Sequence, residues 1–380
     1  MNRLHQLEHL GQSVWYDNIS RSLLTGGGLR RMVEEGLLGV TSNPTIFDKA
    51  ISGSTDYDAQ ILRLAQADPG ISAPQMIQAL MADDIRTAAD VLMPVYERTQ
   101  GRDGFVSIEV TPSKAHDEAA SVAEARELWA LVSRPNVMVK IPATREGLPA
   151  ITQTISEGIN INVTLIFSEE RYREVAEAYM AGLERRLQAG HELQQVASVA
   201  SVFVSRVDTM VDARLEECRR HGGNAEDIGR LQGKAAVANS KMIYQAFKEM
   251  FSSPRFASLQ KYGAALQRPL WGSTGTKNPA YDDLHYVEPL IGPFTVNTVP
   301  PATYDAILDH CSPVLTLEAE LESAALVLSS LEDQGIHMSE VLERLEADGV
   351  AAFEKSFDGL QKNLAEKIRT LPGHPQKARS

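Results

Sequence analysis

The sequence predicts an α/β fold: a (β/α)8 TIM barrel with extra helices, including a helical C-terminal region. Three features predict it. Eight short apolar runs recur along the chain, separated by stretches whose apolar residues have helical spacing, and alternating strands and helices imply a parallel sheet. Polar residues cluster at the ends of these runs, where a parallel barrel gathers side chains at one mouth. No Pro- or Ser-rich linker interrupts the 380 residues. Residues 1–371 therefore read as a single domain, and the polar stretch 372–380 as a flexible C-terminal tail.

Val14–Ile19 is the first candidate strand, and Gly26-Gly27-Gly28 is a flexible lead into a helix near Leu29–Glu35. Leu38–Ser42 comes second, ahead of a segment, 43–104, that is too long for one helix. Phe105–Val110 and Val137–Ile141 flank a helix over Ala119–Leu131. Ile161–Phe167 precedes a helix over Glu169–Gln188. Val199–Val204 precedes a second long segment, 207–267, again with room for more than one helix. Arg268–Gly272 and Thr295–Val299 complete the eight. From Leu315 to Leu371 the periodicity is helical, with breaks expected at Gly335 and Gly349.

Charge narrows the function classes. With 37 Lys and Arg against 50 Asp and Glu, the formal net charge is -13, which argues against non-specific binding to nucleic acid or an anionic membrane. No stretch of 18 apolar residues suggests a membrane span, and the opening residues lack the apolar core of a signal peptide. Two cysteines, Cys218 and Cys311, fit a reducing cytoplasm. His5 and His9 are four apart, as on an exposed amphipathic helix, and no metal motif accompanies them. No metal is expected.

The polar residues at the strand ends carry the chemistry. Lys140 interrupts Val137-Met138-Val139-Lys140-Ile141-Pro142. An ammonium held against apolar neighbours loses hydration, which favours the neutral, nucleophilic amine required for Schiff-base chemistry on a ketone or aldehyde. The alternative is a lysine that snorkels into solvent. Glu109, in Ser107-Ile108-Glu109-Val110, is either a proton relay beside such a lysine or its structural ion-pair partner. Asp17 is a second acid at the first strand, or the cap of the helix that follows.

Asn162 and Thr164 lie two residues apart, on one strand face. They also fit the N-glycosylation pattern, a poorer reading within an apolar strand. In Thr41-Ser42-Asn43-Pro44, Asn43 either offers an amide to sugar hydroxyls or makes a turn. Ser201 and Arg206 offer a hydroxyl and a guanidinium to an anion after the sixth run. Gly272-Ser273-Thr274-Gly275-Thr276-Lys277 adds small residues whose N–H groups can approach a phosphate, with a lysine beside them. Its spacing is not that of a Walker A loop, and Gly26-Gly27-Gly28 is not a dinucleotide motif.

Gly39-Val40-Thr41-Ser42-Asn43-Pro44-Thr45-Ile46-Phe47, Ser107-Ile108-Glu109-Val110, Val139-Lys140-Ile141-Pro142-Ala143-Thr144, Ile161-Asn162-Val163-Thr164-Leu165 and Trp271-Gly272-Ser273-Thr274-Gly275-Thr276-Lys277 occur in that order. Together they resemble the transaldolases, in particular their longer bacterial subgroup. The resemblance implies a cytoplasmic transferase of the non-oxidative pentose phosphate pathway, a monomer or homodimer without metal or organic cofactor. Its partners would be sugar-phosphate substrates. It would move a dihydroxyacetone unit between sedoheptulose 7-phosphate and glyceraldehyde 3-phosphate, giving erythrose 4-phosphate and fructose 6-phosphate.

By that resemblance Lys140 matches the Schiff-base lysine, and Glu109 with Thr164 matches the pair that positions a catalytic water. Asp17 matches the general acid/base. Asn43 and Asn162 match groups that bind the dihydroxyacetone unit, and Ser201 and Arg206 match the phosphate end. Many relatives have a second phosphate-binding arginine after the seventh strand, a role that here would fall to Ser273 and Lys277. Two alternatives stand beside this: a fructose-6-phosphate aldolase on the same scaffold, and a non-catalytic sugar-phosphate-binding barrel.

Overall fold

A computed structural model describes residues 2–371, and in it all eight expected runs become strands of one closed parallel barrel. They are β1 (Gln12–Tyr16), β2 (Gly39–Val40), β3 (Phe105–Glu109), β4 (Val137–Pro142), β5 (Ile161–Ile166), β6 (Ser198–Phe203), β7 (Arg268–Gly272) and β8 (Thr295–Val299). The order around the barrel is the order in sequence, and β1 closes against β8 with Gln12 to Tyr16 opposite Thr295 to Val299. The tail expected over 372–380 lies outside the described residues.

Two strands differ from expectation by more than one residue at an end. β1 starts two residues earlier because Gln12, though polar, is fully buried, its amide donating to the Leu290 carbonyl and the Thr295 hydroxyl. β2 is only Gly39 and Val40. Glycine is required there, since a Cβ at position 39 would lie 2.5 Å from the Trp15 ring.

The end of the barrel opposite the strand carboxyl termini is sealed by polar groups. Arg268 at the start of β7 donates to Asp103 at 2.9 Å and to Ser13 at 2.8 Å, and Asp103 also accepts from the Trp15 indole at 3.0 Å. Asp103 is fully buried. Removing one partner leaves the other's charge buried and unpaired, so Asp103→Ala is expected to cost about 3–5 kcal/mol of unfolding free energy. Urea denaturation checks this, and a loss below about 1 kcal/mol would contradict it.

The helices Glu118–Val132 and Glu169–Gln188 fall where the periodicity placed them, the second with the same bounds. Segment 43–104 holds the helices Pro44–Ser52, Asp58–Ala67 and Ala73–Arg98. Four helices, Ser205–Arg220, Ala225–Leu231, Ala235–Phe251 and Pro254–Gln260, span most of 207–267. Near the C-terminus, the break at Gly335 is real, with φ at +74°.

The break at Gly349 is not. The helix Met338–Thr370 runs through it unbroken. Gly349 serves packing instead: a Cβ there would lie 2.9 Å from a Leu165 methyl and 3.7 Å from the Arg206 guanidinium. This helix crosses the mouth of the barrel and is tied to its far side, with Thr45 donating to Ser356 at 3.0 Å and Lys367 paired with Asp58 at 2.8 Å. Among the described residues no helix is long and apolar enough to cross a membrane.

Candidate active site

Strand register brings the predicted residues together. Glu109 on β3 is the partner of Lys140 on β4, which is the partner of Asn162 on β5. Partners in register share a face of the sheet, here the inner one. Lys140 is 5% exposed and does not snorkel outward. Its Nζ donates to the Ser42 carbonyl at 3.1 Å and sits 3.3 Å from Glu109 Oε2.

Asp17 follows β1 directly, its N–H still bonded to the Val299 carbonyl. It does not cap the next helix; Ser20 does. Its carboxylate accepts from the Thr41 hydroxyl at 2.8 Å, and Thr41 in turn meets Thr298 at 2.6 Å. Asn162 is fully buried, which rules out glycosylation. Its amide is fixed at both ends, donating to Ser107 at 3.0 Å and accepting from Ser201 at 2.6 Å.

β5 is irregular beside these residues. Its pairing with β6 shifts between Val163 and Ile166, and Leu165 has φ at +62°, a conformation that costs energy for a non-glycine residue and re-aims neighbouring side chains. The buried Thr164 hydroxyl and Glu109 Oε1 have no hydrogen-bond partner among the described residues. For Asn43, the turn and the strand-mouth readings coincide. Its side chain caps the helix Pro44–Ser52 by accepting from the Ile46 N–H at 3.0 Å, while the residue faces the mouth.

These residues surround a cavity of about 420 Å³ at the strand carboxyl ends, of a size suited to a small metabolite. Asp17, Asn43, Lys140, Asn162, Thr164, Ser201, Arg206 and Ser273 all line it, whereas Glu109 lies behind Lys140. Lys277 does not line it. It is exposed beyond Ser273, and loss of hydration by its ammonium, then repulsion from Arg206, lowers its pKa.

Sequence reasoning missed Thr41 and Thr298, which orient Asp17, together with Lys49, Phe203 and Phe353 in the lining. Lys49 and Phe353 lie on helices, so no strand-end rule could find them. The one signal for Phe353 is its place one turn after Gly349.

Burial sets the electrostatics. It raises the pKa of Glu109, opposed by the Lys140 charge and hydrogen bond and aided by Asp17. Burial likewise raises Asp17, opposed by Lys140 and by the Thr41 hydrogen bond. Burial lowers Arg206. Two carboxyls able to exchange protons thus flank one amine, with a cation nearby to receive an anionic group. Among the described residues, a geometry that could hold a metal ion occurs at Asp282, Asp283 and His310, whose candidate ligand atoms lie within 4.8 Å of one another, but all three are exposed and none lines the cavity.

Known proteins fit this arrangement. Residues 14–364 match the family model described as transaldolase/fructose-6-phosphate aldolase. A transaldolase of Thermobifida fusca is 49% identical over 367 residues, covering 96% of this chain and 98% of that protein. A transaldolase of Trichodesmium erythraeum is 44% identical over 380 residues, covering 97% and 98%. Transaldolase 1 of Streptomyces avermitilis is 46% identical over 371 residues, covering 97% and 96%. The chain belongs to the transaldolase/fructose-6-phosphate aldolase family, and its function is that of the transaldolases, enzymes of the transferase class.

Proposed function

We propose that the chain transfers a dihydroxyacetone unit through a Schiff base on Lys140. The observation that carries this is the Lys140 amine, buried in the cavity 3.3 Å from Glu109. The amine attacks the ketose carbonyl of sedoheptulose 7-phosphate or fructose 6-phosphate, and the carbonyl oxygen leaves as water with a proton from Glu109. Glu109 Oε1 and the Thr164 hydroxyl, both unpartnered among the described residues, hold that water.

Asp17 then takes the proton of the C4 hydroxyl. The C3–C4 bond breaks, its electron pair moves into the iminium to give an enamine, and erythrose 4-phosphate or glyceraldehyde 3-phosphate leaves. A second aldose phosphate accepts the fragment by the reverse steps, and water frees the product from Lys140. Asn43 and Asn162 bind the dihydroxyacetone hydroxyls, and Ser201, Arg206 and Ser273 the phosphate end, with Lys277 at the rim. No metal or organic cofactor enters these steps. On this reading the enzyme works in the cytoplasm, in the non-oxidative pentose phosphate pathway.

Borohydride reduction with fructose 6-phosphate is expected to label the peptide containing Lys140, as read by mass spectrometry. A label elsewhere, or none, would remove the mechanism. Product analysis with and without an acceptor aldose separates transfer from aldolase release of free dihydroxyacetone.

A further inference from the structure

We infer that Phe353 is a positioning residue for the phosphate end of the site, its ring joining that of Phe203 to brace the Arg206 guanidinium from one side. The inference rests on the reading of Arg206 as a phosphate ligand. The Arg206 Cζ lies 5.1 Å from the Phe203 ring centre and 5.9 Å from that of Phe353, within the range of cation–π attraction. The two rings are themselves 6.2 Å apart.

What Arg206 lacks is equally informative. Among the described residues no carboxylate pairs with it. Three other arginines of this acidic chain each bind two: Arg171 with Glu174 and Glu346, Arg173 with Glu169 and Glu249, Arg255 with Glu177 and Glu184. A carboxylate would fix the guanidinium but occupy the N–H edges that a phosphate needs. Aromatic rings attract the same cation without taking up its N–H edges.

Phe203 is close to Arg206 in sequence, but Phe353 is delivered by the helix that crosses the mouth. Gly349, one turn earlier, lets that helix approach: its absent Cβ would sit 3.7 Å from an Arg206 nitrogen. The Phe353 ring also lies 5.7 Å from Lys140 Nζ. One side chain from the far end of the sequence therefore borders both the amine and the guanidinium.

The test compares Phe353→Leu, Phe353→Tyr and Arg206→Met with the unaltered enzyme. Two quantities are read: KM for fructose 6-phosphate, and the dissociation constant of inorganic phosphate by calorimetry. Phe353→Leu is expected to raise both by about 3- to 30-fold, the span of a cation–π contact, with kcat changed far less. Phe353→Tyr, which keeps the ring, restores both. In the Arg206→Met background, adding Phe353→Leu raises neither further. An unchanged phosphate constant, or the same rise with Arg206 already removed, overturns the inference.

Should Leu lower the melting temperature, the ringless Phe353→Met supplies the same comparison. Phosphate binding needs no turnover. A failure of borohydride labelling at Lys140 would thus sink the Schiff-base reading and leave the calorimetric test of Phe353 standing.

Discussion

Replacing Lys140 with methionine is expected to abolish transfer, a loss on the order of 10⁵-fold in kcat, as when a covalent nucleophile is removed from other enzymes. Borohydride with fructose 6-phosphate should then leave no label, while circular dichroism still reports a folded barrel. The same substitution should change how stability depends on pH. In the native site the Lys140 charge holds down a Glu109 pKa that burial pushes above its ordinary 4.5. Without the lysine, burial and the Asp17 charge act unopposed and the carboxyl keeps its proton to higher pH.

A folded state that binds the extra proton is favoured at low pH, and loses that advantage as pH rises from the unfolded value through the folded one. The variant should therefore fall further below the unaltered enzyme in stability at pH 8 than at pH 5. Denaturant titrations at the two pH values measure this. Equal differences would mean that Glu109 is not coupled to Lys140, and residual transfer within tenfold of normal would mean that Lys140 is not the nucleophile.

Asp17→Asn should separate two steps that Lys140→Met removes together. Asparagine keeps the shape of the side chain and can still meet Thr41, but cannot accept the proton released as the C3–C4 bond breaks. Loss of a positioned general base is worth about 10²–10⁴-fold, so kcat should fall by that much while borohydride still labels Lys140. An Asp17→Asn enzyme with undiminished turnover would assign the base elsewhere. One that neither turned over nor took the label would place Asp17 in Schiff-base formation.

The barrel was legible because each strand carries its own signal. Val137-Met138-Val139-Lys140 and Ile161-Asn162-Val163 are β-branched or apolar runs with one inward charged or polar residue, a pattern compatible with a fully buried parallel strand. The catalytic candidates were legible for the same reason, since a lysine inside such a run has little structural excuse. Gln12 misled because its burial depends on partners at Leu290 and Thr295, far along the chain. Gly349 misled because propensity treats glycine as a helix breaker, whereas here it answers a contact with Leu165 and Arg206 that only the folded chain creates. Phe353 and Lys49 were invisible on similar grounds. They come from helices whose approach to the mouth is set by tertiary packing, which no local pattern records.

The Arg268–Asp103 seal has a kinetic consequence. With the floor of the chamber shut, substrates and products share one doorway, beneath the crossing C-terminal helix. A departing aldose must clear that doorway before its successor can enter, so the architecture itself enforces the queue, and under the proposed mechanism a covalent tether to Lys140 would keep the three-carbon cargo from leaving while the doorway changes hands.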